Sequence, residues 1–173
     1  MTVYVALLRA VNVGGTGKLP MTELKSMCEK LGFTKVQTYI ASGNVLFESR
    51  KSESAVKKAL EAALQKYAGK PVGVMVRTPA ELEKVVAGNP FPKQPTKWSV
   101  AIFLDKTPPK DTLSTVRGAN GEEVRLGKRE IYVHYGSGMA RSKLRIPAAV
   151  AGTARNMNTI AKLAELGERL SGA

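Results

Sequence analysis

The sequence predicts an α+β protein in which a ferredoxin-like βαββαβ unit is followed by a second, related α+β subdomain and a C-terminal helix. Three observations support this prediction. Short apolar runs, which are typical of strands, alternate with segments whose apolar residues recur at helical spacing. The first half places these segments in the order strand, helix, strand, strand, helix, strand. The second half has a similar order without a residue-level repeat, so we expect a duplicated or an incomplete second arrangement.

The first half begins with residues 3–8, an apolar run that is long enough for a strand and too short for a helix. A helix is predicted over residues 20–31, because Pro20 suits a first turn and apolar residues then recur every three or four positions. Cys28 lies on this apolar stripe, which predicts a buried thiol rather than a nucleophile. The other predicted elements are strands at 36–41 and 45–48 joined by a Ser42-Gly43-Asn44 turn, a helix at 52–67 with Ala55, Ala59, Leu60, Ala62 and Ala63 on its apolar side, and a strand at 72–77.

A proline-rich connection at residues 89–97 separates the two halves. Residues 142–152 are hard to place, because Ser142 could cap a helix that Pro147 would then interrupt. The other elements predicted for the second half are a strand at 99–104, a helical segment at 110–117, a hairpin of strands 122–126 and 130–135, and a helix at 156–170. The predicted division of the chain is a ferredoxin-like subdomain at 1–78, a helix and connector at 79–97, and a second subdomain at 98–173.

The composition excludes several classes of protein. Cys28 is the single cysteine, so we expect neither a disulfide framework nor a zinc site, and we predict no metal and no cofactor. No apolar run approaches the roughly 20 residues that a membrane span requires. A signal peptide would consume the first strand and would need a basic leader, which the N-terminus lacks. We therefore predict a cytoplasmic protein that does not associate with membranes.

The chain is strongly basic, since 27 Lys and Arg against 14 Asp and Glu give a net charge of +13. Acidic residues are absent from residues 1–22 and from residues 131–164. If these two acid-free windows meet in space, they form one positive patch, which favours a phosphate-bearing partner. The basic residues that we single out in the two windows are Arg9, Lys18, Arg141, Lys143, Arg145, Arg155 and Lys162.

A glycine-rich stretch in the first window, residues 14–18, invites comparison with a phosphate-binding P-loop. The spacing does not fit, because a P-loop would need a glycine at Asn12 and a hydroxyl side chain at Leu19. Two interpretations remain open. The stretch is either a general anion-binding loop, in which backbone amides approach the ligand closely, or a plain connection between strand and helix.

Polar residues in the second window also have two interpretations. Asn156 or Asn158 could cap the last helix, or Arg155 and the helix dipole could together form a second anion-binding site. His134 is the only histidine, and its position in a strand predicts a structural or surface role rather than proton transfer.

Five motifs in the chain are ALLRAVNVGG at residues 6–15, YIASGNVLF at 39–47, NPFP at 89–92, SKL at 142–144 and RNMNT at 155–159. Together they resemble a bacterial family known as domain of unknown function 1697, in the same order and over nearly the whole chain. The resemblance implies a compact α+β fold with ferredoxin-like repeats, and it implies no activity. Two positions depart from the family pattern: Ala10 and Val11 replace a Gly-Ile pair, and Met157 replaces an expected Trp, which argues against aromatic stacking there.

Three functions are consistent with these observations, which leave open whether the protein is an enzyme. The first is non-catalytic binding of a phosphate-bearing partner, nucleic acid first, through the basic patch. The second is an enzyme acting on a small phosphorylated or carboxylated metabolite, with Lys143 or His134 as proton carrier and a pocket lined by Asn12, Ser42, Asn44 and Arg155. The third is a structural module that forms a homodimer by pairing exposed sheet edges. The full set of predicted binding residues is Arg9, Asn12, Gly14, Gly15, Lys18, Ser42, Asn44, Arg141, Ser142, Lys143, Arg155 and Asn156.

Overall fold

The computed structural model describes residues 1–9, 19–40, 43–136 and 142–172. The chain forms two compact units, and each contains its own four-stranded sheet. The C-terminal residues group with the first unit, whereas the division predicted from sequence placed them in the second subdomain. Unit 1 comprises Met1–Leu82 and Leu163–Ala173, and unit 2 comprises Glu83–Lys162.

Unit 1 has the βαββαβ order that the sequence predicts for a ferredoxin-like unit. Its elements are β1 (Thr2–Leu8), α1 (Met21–Lys30), β2 (Thr34–Tyr39), β3 (Asn44–Ser49), α2 (Glu53–Ala68) and β4 (Val74–Arg77), after which α3 (Pro79–Ala87) begins. The strands lie in the order β2-β3-β1-β4, and every neighbouring pair is antiparallel.

The core of unit 1 lies between one face of this sheet and the helices α1 and α2. Alternate residues of β1, such as Ala6 and Leu8, point into the core because side chains alternate along a strand. Helix α2 buries Leu60, as expected from the sequence, but together with Val56 and Leu64 rather than with the predicted alanines. The larger aliphatic side chains remove more apolar surface from water, which explains why they set the orientation of the helix.

Unit 2 repeats the strand topology of unit 1 with less helix. Its strands are β5 (Ser99–Phe103), β6 (Glu123–Leu126), β7 (Glu130–His134) and β8 (Thr153–Asn156), after which α4 (Met157–Gly172) begins in unit 2 and ends in unit 1. The order β6-β7-β5-β8 matches that of the first sheet, and neighbouring strands are again antiparallel. Short 3-10 turns at Thr112–Thr115 and Pro147–Ala149 stand where unit 1 has α1 and α2. The predicted α+β class with a C-terminal helix is confirmed, and the helical segment expected at 110–117 is a single 3-10 turn.

The core of unit 2 is built on one face of its sheet by Val100, Ile102, Val124, Ile131 and Val133. Residues 142–152 could not be assigned to an element from the sequence. Part of this stretch covers the core, because side chains from residues 144–149 pack against it. Tyr135 packs on the same face, as strand alternation predicts for residues 131, 133 and 135. The covering side chains are Leu144, Ile146, Ala148 and Ala149.

Three further expectations from the sequence concern a membrane span, a metal site and the environment of Cys28. Across the described residues, no helix combines the length and the apolar character that a bilayer span needs. The same part of the chain has no cluster of three metal-ligating side chains. Cys28 is fully buried, and this burial, with a smaller effect from the charge of Glu29, raises the pKa of the thiol to about 12. The predicted packed thiol is confirmed.

Candidate functional site

Residues 142–145 in the second acid-free window are held in place by residues 117–122. The Ser142 hydroxyl donates a hydrogen bond of 2.6 Å to Oε2 of Glu122, and it accepts one of 3.2 Å from the backbone amide of Leu144. The bond from Ser142, and then the backbone amide of Asn120 at 2.8 Å, lower the pKa of the Glu122 carboxyl. Glu122 is therefore ionised at neutral pH and fixes the start of the segment.

Two backbone contacts extend this attachment. Gly118 has a φ of +71°, and a Cβ at this position would collide with the carbonyl oxygen of Lys143, so only glycine permits the approach. The backbone amides of Arg117 and Arg145 each donate to the carbonyl of the other, at 2.9 and 2.7 Å, as in an antiparallel β-bridge. These contacts bring Arg117, Lys143 and Arg145 onto adjacent stretches of backbone, and we call these three residues the basic bridge.

All three side chains of the basic bridge are exposed. Nη1 of Arg117 donates to the carbonyls of Ser114 and Val116 at 3.2 and 3.1 Å, which leaves the other guanidinium N–H groups available. Within the described residues, Lys143 and Arg145 form no ion pair. The bridge therefore offers three exposed positive charges, carried on a fixed backbone, to a ligand.

Arg155 is buried rather than aimed at solvent. It lies in β8 opposite Ala101 and is 8% exposed. Its Nη1 donates to Oγ1 of Thr153 at 2.7 Å and to the carbonyl of Ala154 at 2.9 Å. Burial lowers the pKa of the guanidinium to about 10, so the group stays charged at neutral pH. The predicted phosphate contact by Arg155 stays a prediction, and the contacts seen are to its own strand.

The neighbouring Asn156 has the capping role that the sequence offered as one of two interpretations. Its Oδ1 accepts a 2.8 Å hydrogen bond from the backbone amide of Thr159 in the first turn of α4. Asn158 instead accepts a 2.7 Å hydrogen bond from the hydroxyl of Thr96. The start of α4 is thus held by side chains of unit 2.

The only histidine lies inside unit 2. His134 is 6% exposed, and its Nδ1 lies 2.9 Å from the hydroxyl oxygen of Ser99, its register partner in β5. The ring of Phe91 is centred 5.6 Å from the imidazole. These contacts agree with the structural role predicted from the strand position.

Two other predicted binding residues, Arg9 and Asn44, lie in unit 1. The backbone amide of the exposed Arg9 donates to the carbonyl of Gly73 at 2.8 Å. Asn44 is fully buried at the start of β3, where its Nδ2 donates to the carbonyl of Tyr39 at 2.9 Å. Six other predicted binding residues lie outside the described residues, and these are Asn12, Gly14, Gly15, Lys18, Ser42 and Arg141.

Sequence reasoning missed Arg117, Gly118 and Glu122. Their roles depend on contacts with residues twenty or more positions later in the chain, which no local pattern reveals. Sequence reasoning also missed the buried Arg77, which lies at the end of an outer strand. Arg77 in β4 is 2% exposed and donates from Nη1 to the carbonyl of Val76, just as Arg155 does to Ala154.

Comparison with known proteins gives a family and a fold. A family model described as protein of unknown function (DUF1697) matches residues 1–132. Among solved structures, the chain is similar to the conserved bacterial protein SP0830 from Streptococcus pneumoniae, with a TM-score of 0.77 and 25% sequence identity. That similarity covers 95% of this chain and 97% of the other. A search of curated proteins gave no match.

Proposed function

We propose that this chain, which belongs to the DUF1697 family of proteins of unknown function, binds a phosphate-bearing partner without catalysing a reaction. Nucleic acid is the partner that we favour. The observation that supports this proposal is the basic bridge, whose three exposed cations are placed side by side by backbone contacts. Guanidinium groups bind phosphate oxygens in a bidentate manner, and a lysine adds a compact charge. A cytoplasmic location remains part of the same proposal.

The charge of unit 2 supports an anionic partner at longer range. Unit 2 contains 14 Lys and Arg against six Asp and Glu, so it carries the larger share of the net charge of +13. Clustered positive charge attracts polyanions and raises their association rate. A nucleic acid has many phosphates and can contact several cations at once, which gives it an advantage over a ligand with a single phosphate.

The two alternative functions have less support. A metabolite enzyme would use Asn44 and Arg155, but the amide of Asn44 and the guanidinium of Arg155 donate to backbone groups beside them. Its proton carrier would be Lys143 or His134, and His134 is buried against Ser99 and Phe91. Formation of a homodimer through a sheet edge is favoured by no specific contact among the described residues.

Reversal of charge at the basic bridge tests the proposal. Fluorescently labelled short DNA and RNA strands are titrated with the native protein and with the variant K143E/R145E at several salt concentrations. We expect the variant to bind roughly tenfold or more weakly for every base sequence, and the slope of log affinity against log salt to decrease by about 2. The readout is fluorescence anisotropy.

A matched control separates the bridge from the overall charge. Lys106 and Lys128 are exposed cations that follow β5 and β6, at the opposite end of the unit 2 sheet. K106E/K128E changes the net charge by the same amount and is expected to retain most of the affinity. Equal losses in both variants would assign binding to net charge alone, and no binding at low salt would overturn the proposed function.

A further inference from the structure

Trp98 is the only tryptophan in the chain, and it lies at the same end of the unit 2 sheet as the attachment of residues 142–145. It immediately precedes β5, and its carbonyl accepts a 2.8 Å hydrogen bond from the amide of Tyr135, which immediately follows β7. The register continues across the sheet, because Glu123 at the start of β6 pairs with His134 at the end of β7.

This register connects the tryptophan to the basic bridge. Glu122 precedes β6 and receives the hydrogen bond of Ser142, next to Lys143 of the bridge. Two strand spacings separate the start of β5 from the start of β6, which is about 10 Å. A flexible strand of a few nucleotides can span this distance.

The aromatic rings at this end remain partly accessible. Trp98 and Tyr135 are both half-buried. Nζ of the exposed Lys97 lies 5.2 Å from the centre of the Trp98 ring, so a positive charge accompanies the aromatic face. The backbone of Trp98 is fixed at the entrance to β5 by the hydrogen bond from Tyr135, which places the indole side chain at this end of the sheet.

We propose that Trp98 stacks on an unpaired base of a single-stranded nucleic acid, while Lys97 and the basic bridge bind the phosphates of the same strand. This inference rests on the proposed function and names its partner. Proteins that bind single strands without sequence preference combine a basic track with aromatic rings on which bases stack. Aromatic residues make up only 6% of the chain, so the platform holds one or two bases rather than a long row.

A duplex does not meet the same requirement. Its bases are already stacked on one another, and only unpaired bases offer a free face to a side chain. The basic bridge alone would bind the phosphates of either form. The tryptophan therefore makes the difference between general phosphate binding and a preference for single strands.

The intrinsic fluorescence of Trp98 reports the contact directly, because no other tryptophan contributes. The native protein is titrated with an oligothymidylate of about ten nucleotides, with an abasic strand of equal length and with a duplex. We expect the oligothymidylate to quench the fluorescence, and the abasic strand to bind through its phosphates without quenching.

Substitution of the ring gives the second measurement. W98A is expected to bind labelled oligothymidylate about 5- to 100-fold more weakly, with unchanged affinity for the abasic strand, whereas W98F retains most of the binding. Y67A removes an aromatic side chain that is 48% exposed on α2 in unit 1, and it is expected to bind like the native protein. If W98A does not fold, the binding of W98F and the quenching of the native protein still show whether a base stacks on the aromatic ring at position 98.

The outcomes separate the two proposals. Binding of all three ligands with equal affinity and without quenching would overturn the stacking inference and leave the basic bridge in place. Failure of every ligand to bind at low salt would overturn the proposed function itself.

Discussion

The two sheets of this protein have the same strand order but different covers, and the difference explains where the candidate site lies. The first sheet is covered by the regular helices α1 and α2, which satisfy their own backbone hydrogen bonds. The second is covered by residues 144–149, which form at most a 3-10 turn. An irregular segment needs partners for its backbone, and here residues 117–122 supply them. The same contacts place the cations of the basic bridge together.

The two units nevertheless share a detail at the fourth strand. Arg77 ends β4 and Arg155 lies next to last in β8, and each donates to the carbonyl of the residue before it. A capping residue follows each arginine. Thr78 accepts a 3.2 Å hydrogen bond from the amide of Glu81, and Asn156 caps α4. This repeated arrangement supports the view that unit 2 is a reduced version of unit 1.

The largest expected effect tests the difference in cover. Leu60 in α2 is fully buried, so L60A should lower the free energy of unfolding by about 2–5 kcal/mol. Ile146 in the irregular cover is half-buried, so its side chain removes less apolar surface from water on folding than Leu60 does. I146A should therefore lower the free energy of unfolding by only about 1 kcal/mol. Denaturant unfolding measures both, with Cys28 labelling as the probe of unit 1 and Trp98 fluorescence as the probe of unit 2. Equal costs would show that the irregular cover packs as firmly as the helix.

The second effect concerns the close approach of Gly118 to Lys143, which helps to hold the irregular segment. G118A places a Cβ against the carbonyl of Lys143 and forces alanine into a left-handed backbone, so we expect a loss of about 2–3 kcal/mol. Gly121 has a φ of +90° and open space around it, so G121A should cost about 1 kcal/mol. Thermal unfolding compares the two variants. Matching losses would mean that the contact with Lys143 does not hold the segment.

The same comparison shows what the sequence can predict. The elements of unit 1 follow from local patterns: residues 3–8 and 20–31 were expected as a strand and a helix, and the structure has Thr2–Leu8 and Met21–Lys30. Apolar periodicity and capping residues act over a few positions, so they are readable from the chain. The sequence offered Asn156 or Asn158 as a cap of the last helix for the same reason, and Asn156 is the one that caps it.

The irregular parts of unit 2 could not be predicted in this way. The position of residues 142–152 depends on distant partners such as Gly118 and Glu122, and Pro147 obscures the helical pattern. For Arg155 the sequence shows the charge and not the burial within the sheet, and its ligand contact stays a prediction. For the candidate site, the sequence indicated Ser142 and Lys143, and the fold added Arg117.

A gradual effect concerns the stability of the two units in alkaline solution. In the folded protein, burial raises the pKa of the Cys28 thiol from 9.0 to about 12. In unit 2, burial, with a smaller effect from the charge of Glu130, raises the pKa of Tyr132 from 10.0 to about 12. Between its two pKa values each group ionises only in the unfolded state, so the unfolded state binds fewer protons and stability decreases as the pH rises.

Unit 1 should therefore weaken above pH 9.0, and unit 2 only above pH 10.0. The expected decrease is about 1.4 kcal/mol per pH unit for each fully titrating group. Denaturant unfolding across this range measures the slopes. C28A should remove the decrease that begins near pH 9.0, and Y132F the one that begins near pH 10.0. A decrease that survives in C28A with its original onset would assign the alkaline sensitivity to groups other than the buried thiol.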